Sequence, residues 1–196
     1  MKKIFIFLLF PLFTFSQTAD EYFKRALDSF KKNDYQYQID NYTKCLNIDP
    51  NYYEAYDNRG RAFFKIKKYN AAISDYTKFI SFNNKDAKVY NNRGIAYSMI
   101  KNYHLAISDF TKSIKLDSQY SNPIKNRGRV YYYQGKYNEA IMDFTNSLIL
   151  DPNNANTFRD RGVCKEEAGL YYCDDYKTAC RLGNSSCCEW YQNQCR

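Results

Sequence analysis

The sequence predicts an all-α protein built from stacked pairs of helices. Three observations carry that prediction. A residue pattern returns every 34 positions, and each period holds two stretches whose apolar residues recur at helical spacing. Helix breakers are few, with 7 Gly and 4 Pro in 196 residues, where an all-β chain with many tight turns needs more of both. At 44% hydrophobic and 26% charged residues the chain can bury a core, which excludes disorder.

The first segment reads as an address rather than as fold. Lys2 and Lys3 supply a positive start and residues 4–15 an apolar run interrupted at Pro11. Thr14 and Ser16 place small residues where a signal peptidase needs them, so the cut is expected before Gln17 and residues 1–16 form a signal peptide. A membrane anchor needs about 20 apolar residues, and this run is shorter. No cysteine follows it, which disfavours a lipoprotein anchor, and no later segment is apolar enough to span a membrane. The remaining chain carries 27 Lys+Arg against 21 Asp+Glu, a modest +6. Export makes nucleic acid an unexpected partner and allows disulfides to persist. The expected place is the periplasm, or the medium or cell surface, of a bacterium.

From residue 19 the period takes over. Gly60, Gly94, Gly128 and Gly162 stand 34 apart, each after an arginine: Arg59, Arg93, Arg127 and Arg161. Tyr35, Tyr69, Tyr103, Tyr137 and Tyr171 keep the same step, as do Ala72, Ala106 and Ala140, each followed four residues later by Tyr76, Phe110 or Phe144. In the second period Tyr56, Gly60 and Phe63 mark the stripe of a first helix. Ala72, Ile73, Tyr76, Phe79 and Ile80 mark that of a second, with Lys68, Tyr69 and Asn70 expected as the turn. A mid-helix glycine costs about 1 kcal/mol against alanine. The expected return is close approach of the partner helix, with the ring of Phe63 or Tyr97 over the gap.

The pattern aromatic-x-x-x-Gly-x-x-aromatic, then Tyr-x-x-Ala-Ile-x-x-aromatic, then Asp-Pro, resembles the tetratricopeptide repeat. The resemblance covers residues 19 to about 183, as repeats 19–52, 53–86, 87–120, 121–154 and a shortened fifth at 155–183. The first is degenerate, with Ala26 in the glycine column and Gln38 in the alanine column, as suits a terminal repeat. The fifth loses two residues, so that Cys173-Asp174-Asp175-Tyr176 aligns with Ile141-Met142-Asp143-Phe144. The resemblance implies a right-handed solenoid of about five helix-turn-helix repeats over residues 17–183, followed by a cysteine-rich capping helix at 184–196. It also implies that the first helix of each pair lines a concave groove.

Most of the 21 tyrosines fall in repeating packing columns, the five turn tyrosines among them, which argues against a general sugar- or base-stacking surface. Arg59, Arg93, Arg127 and Arg161 recur in step with Asp75, Asp109, Asp143 and Asp175. They read as structural pairs between helices rather than as an anion ladder. The groove-facing residues implied by the resemblance include Arg61, Lys65, Asn91, Lys125, Arg129, Tyr132, Tyr133 and Arg159. That basic and aromatic set suits a peptide with acidic side chains or a C-terminal carboxylate; an ordinary solvated face is the plain alternative. The Lys/Asn clamp of some family members is not carried over, because Ile95 and Val163 stand where it wants polar groups.

Seven cysteines complete the reading, six of them after residue 163. Cys45 and Cys164 occupy small buried columns. Cys173 and Cys180 lie two helical turns apart, about 10.5 Å, too far to bond each other. Cys188 and Cys195 repeat that spacing beyond the turn at Leu182-Gly183-Asn184. Folding the two stretches antiparallel matches Cys180 with Cys188 and Cys173 with Cys195. The segment Lys177–Gly183, followed by Cys188, also resembles the Ala-Cys-x-Leu turn of Sel1-like repeats, in which a cysteine pair bridges the turn. Cys187 is left over, with Cys164 as a possible mate, and six cysteines allow 15 full pairings. A zinc site is the alternative, though Cys-x-x-Cys spacing is missing.

The functional expectation is a non-enzymatic scaffold, without cofactor or metal, that presents its groove to a protein or peptide. A cysteine-rich envelope enzyme, either a thiol oxidoreductase or a cell-wall hydrolase, is the first alternative. It lacks a Cys-x-x-Cys motif and has only His104 as imidazole. A structural subunit of an envelope complex, assembled through the convex face or the repeat ends, is the second.

Overall fold

The structure, a computed structural model, describes residues 17–29 and 34–195. The expected signal segment lies outside those residues. Eleven α-helices make up the described chain: α1 (Ala19–Asp28), α2 (Tyr35–Ile48), α3 (Tyr53–Lys65), α4 (Tyr69–Phe82), α5 (Ala87–Met99), α6 (Tyr103–Leu116), α7 (Ser121–Tyr133), α8 (Tyr137–Leu150), α9 (Ala155–Glu167), α10 (Cys173–Arg181) and α11 (Ser185–Gln194). Short polar side chains start many of them by accepting an otherwise unpaired backbone N–H. Thr18 accepts from Glu21 N, Asp34 from Tyr37 N, and Asn154 from Thr157 N.

The turn inside the hairpins of repeats two to five is made by one residue in the left-handed region. Gly135 (φ 72°) and Gly169 (φ 68°) fill it in two repeats, Lys67 (φ 61°) and Lys101 (φ 60°) in two others. Lys67 N donates to Phe64 O at 3.0 Å and Lys68 N to Phe63 O at 2.9 Å, which stops α3. The turn is therefore Ile66 to Lys68. Tyr69 and Asn70, expected in it, instead form the first turn of α4. For a non-glycine residue the left-handed region costs about 1–2 kcal/mol.

Each helix packs on the next along the chain, and α3, α5, α7 and α9 also touch one another in succession. This second-neighbour contact puts the odd helices on the inside of the curve. The core is a series of small clusters rather than one large one: Ala72, Tyr76, Phe79, Val89 and Ala96 in one, Ala106, Phe110 and Val130 in the next. No hairpin closes its own apolar stripe; the following one does.

The glycines work differently from the expectation. A Cβ on Gly94 would lie 2.8 Å from Cε1 of Phe110, and one on Gly60 2.9 Å from Cε1 of Tyr76. The ring over the gap thus comes from the second helix of the hairpin, not from Phe63 or Tyr97 on the same helix. Aromatic rings at positions 76, 110, 144 and 176 dock on the bare backbone of the first helix.

The Arg–Asp pairs bind first helix to second. Arg93 Nε and Nη2 donate to the two carboxylate oxygens of Asp109, both at 2.8 Å, and its Nη1 reaches back to Thr77 Oγ1 at 3.0 Å. The same three bonds recur at Arg59 with Asp75 and Thr43, and at Arg127 with Asp143 and Thr111. Arg161 meets Asp175 with Thr145 behind it, and Lys165 adds a bond to the same carboxylate at 2.8 Å. The fifth repeat keeps this pair despite its missing residues. Its Gly162 likewise faces Tyr176, 3.3 Å from where a Cβ would lie.

At the C-terminal end Cys173 is bonded to Cys195 and Cys180 to Cys188, which staples α11 across α10. Cys45, Cys164 and Cys187 are free and buried. Cys164 packs with Ala140 and Phe144, Cys187 with Tyr176 and Ala179. They belong to successive core clusters, so the possible Cys164–Cys187 bond does not form. Tyr171 departs from its column: it is 69% exposed, because α10 begins only at Cys173.

Candidate functional site

The odd helices carry the groove residues, since their glycine stripe is taken up by packing and the opposite face is left over. A cleft of about 390 Å³ opens between α7 and α9. It is lined by Arg129, Tyr132, Tyr133, Arg159, Asp160 and Val163, with Phe144 from α8 beneath. Four of the eight expected groove residues meet here. Tyr133 is 65% exposed, and its ring stacks at 6.3 Å and 13° on Tyr103 of the preceding repeat. Tyr132 packs edge-on against Tyr133 at 5.6 Å.

The charges of the cleft converge on one carboxylate. Arg129 Nε donates to Asp160 Oδ2 at 2.7 Å, and Arg159 Nη2 donates to Asp160 Oδ1 at 2.6 Å. The bond to Asp160 holds the Arg159 guanidinium above its ordinary range. Lys125, one turn before Arg129 on α7, donates to Asn122 Oδ1 at 2.9 Å. Burial, and then the like charge of Arg129, push its ammonium below the usual range. Arg129 and Arg159 thus share Asp160, while Lys125 stands nearby under the influence of both Asp151 and Asp160. Glu166 and Glu167 follow along α9; Glu166 accepts from the Tyr176 hydroxyl at 3.2 Å.

Asp160 was not among the expected site residues. It occupies the column of Asn58, Asn92 and Asn126, and the change from amide to acid in a groove-facing column was the available signal. Asn91 needs the opposite correction. It is buried, accepting from Asn126 Nδ2 at 3.0 Å and donating toward the Tyr120 hydroxyl at 3.4 Å. A satisfied amide that ties α5 to α7 lies under the groove, not on its surface.

Arg61 and Lys65 stand apart from the main cleft. They line a smaller recess of about 140 Å³ with Phe64, Tyr76, Asn92 and Ile95, between α3 and α5. Behind it, Asp57 has one buried carboxylate oxygen without a hydrogen bond, and burial pushes its pKa up to about 6. Another cleft of about 390 Å³ lies at the first hairpin, lined by Arg25, Asp28, Ser29, Asp34 and Tyr37, none of them an expected groove residue. Among the described residues, no group of three or more His, Cys, Asp or Glu could hold a metal ion.

The tetratricopeptide repeat sequence profile matches residues 53–86, 87–120 and 124–154, together half of the chain. The chain belongs to the tetratricopeptide repeat family. The first and fifth repeats fall outside these matches, yet both fold as the same helix pair. Among curated proteins no sequence matches this tetratricopeptide repeat chain. Among solved structures, MamA superposes with TM-score 0.77 at 25% identity, covering 84% of this chain and 91% of that one. MamA 41-end from Desulfovibrio magneticus RS-1 gives 0.67 at 21% identity, covering 69% and 77%. YrrB, described as a TPR protein with an unusual peptide-binding site, gives 0.73 at 17% identity, covering 89% and 92%. The fold is the right-handed solenoid of this family, and proteins of this architecture serve in protein–protein interaction.

Proposed function

We propose that this tetratricopeptide repeat protein is an exported, non-catalytic scaffold that binds a peptide segment of a protein partner in its concave groove. The observation that carries the reading is the cleft between α7 and α9. There two arginines share one carboxylate beside an exposed tyrosine and an apolar floor. A ligand carboxylate, from an acidic side chain or a chain end, competes with Asp160 for Arg129 and Arg159 and is drawn by Lys125. An aromatic or aliphatic side chain one or two residues away rests on Tyr132, Tyr133 and Val163. Glu167 at the far rim sets the direction, because a ligand acid placed there meets like charge.

Burial argues for binding over thiol chemistry. It pushes the thiol of Cys45 up to about 11 and that of Cys164 up to about 12, so neither forms a thiolate readily. Export is supported by the character of residues 1–16 and by the two disulfides, which persist in oxidising compartments.

Selection from a random peptide display library on the immobilised protein tests the reading. Sequences pairing Asp or Glu with an aromatic residue are the expected enrichment. The selected peptides bind Lys125→Glu/Arg129→Glu at least tenfold more weakly, with circular dichroism unchanged. Equal binding by that folded variant makes the groove the wrong surface.

A further inference from the structure

We propose that the row of hairpin turns on the edge of the solenoid is a docking surface for an anionic lipid bilayer. The turns of repeats two to four lie side by side, because the hairpins stack one on the next. Their segments, residues 66–70, 100–104 and 134–138, hold Lys67, Lys68, Lys101 and Lys136, against one neighbouring exposed acid, Glu139. All four lysines are exposed, and none takes part in an ion pair among the described residues. Apolar side chains stand between them: Met99 is 50% exposed, Ile100 39% and Leu105 38%. Lys67, Lys68, Tyr69 and Ile100 share one open recess, which joins the turns of repeats two and three.

The backbone marks the same place. Lys67 and Lys101 hold the left-handed position that Gly135 and Gly169 fill elsewhere. Strain retained twice in one column, both times for a lysine at the tip, points to a use for the charge.

The chemistry favours a bilayer over an acidic protein. Six of the seven ion pairs among the described residues are made by arginine, Lys165 with Asp175 being the other, and no arginine stands in these turn segments. Lysine stems lie along apolar surface while the ammonium reaches a phosphate in the headgroup layer. A row of tips on the edge, with exposed Met, Ile and Leu nearby, suits a flat interface that admits shallow insertion. No helix of the described residues is long and apolar enough to cross a membrane, so the contact is peripheral.

Co-sedimentation with phosphatidylcholine vesicles, with and without phosphatidylglycerol, is the test. The protein sediments with the anionic vesicles and not with the neutral ones, and salt releases it. Each lysine removed lowers partitioning about fivefold. Lys67→Gly/Lys101→Gly therefore binds roughly 30-fold more weakly. That variant keeps its fold, since glycine is the relaxed residue at both positions, and its unfolding midpoint is expected at or above that of wild type. No sedimentation of the wild type overturns the proposal, as does equal binding to neutral vesicles or full binding by the folded variant. If vesicles fail while the edge lysines are required to capture an acidic protein, the surface is a protein interface and the proposal is wrong.

Discussion

Arg93 shows what the repeat asks of a single residue. Its guanidinium fills three hydrogen bonds, two to Asp109 and one to Thr77, and so joins two helices of one repeat to a helix of the previous one. Asp109 is buried, so truncating Arg93 to alanine leaves a carboxylate without a partner. The expected loss is about 3 kcal/mol, read from urea unfolding. The paired change Arg93→Met/Asp109→Leu loses less, because no charge is stranded. Asp57 is the reverse case, a carboxylate that its surroundings disfavour. Its folded pKa of about 6 stands above the ordinary 3.8. The folded state therefore holds the proton more tightly, and the contribution of Asp57 to stability falls as pH rises from about 4 to 6. Asp57→Asn removes that loss. The variant should be more stable than wild type at pH 7, by about 3 kcal/mol, and close to it at pH 4. Thermal unfolding at the two pH values reads the difference.

At the scale of helices, two contacts set the geometry. The ring of Phe110 lies against the backbone of Gly94, is fully buried and cannot move aside. Gly94→Ala is therefore expected to destabilise by about 1–3 kcal/mol despite alanine's better helix propensity. Gly162 faces Tyr176 at 3.3 Å, a looser fit, so Gly162→Ala should lower the unfolding midpoint less. The C-terminal hairpin is held by bonds that close 8 and 22 residues of sequence. Reduction should release about 2–3 kcal/mol of chain entropy per loop. Hydrogen exchange is then expected to speed up in α10 and α11 and to stay unchanged in α3 to α6, which contact only their own neighbours. Much of this level is legible in the sequence, because repetition turns each column into several independent readings of one contact. The Arg–Asp pairs show themselves that way, and the cysteine rungs through the matching spacing of Cys173 and Cys180 with Cys188 and Cys195. The identity of the ring over each glycine does not, since two aromatic columns lie at compatible spacing and only the angle between helices chooses between them. The turn boundary slips for a similar reason: a lysine in the left-handed region carries none of the signal a glycine gives.

For the whole molecule, the curve brings odd helices of successive repeats together and so assembles a site that no hairpin holds alone. Arg129 and Arg159 are 30 residues apart in sequence and meet at Asp160. Half of the expected groove residues gather there. Arg61 and Lys65 fall in a separate recess, and Asn91 sinks beneath the surface. What the sequence hides is the sharing of side chains between neighbouring repeats: Asn91 reads as groove until Asn126 and Tyr120 claim it, and Asp160 reads as one more polar column until two arginines close on it. The most direct measurement of the central claim is a hydrogen-exchange footprint of the protein bound to a display-selected peptide. The account predicts slowed exchange along α7 and α9, and along α5 for longer ligands. Protection confined to the even helices, or to α10 and α11, would contradict it.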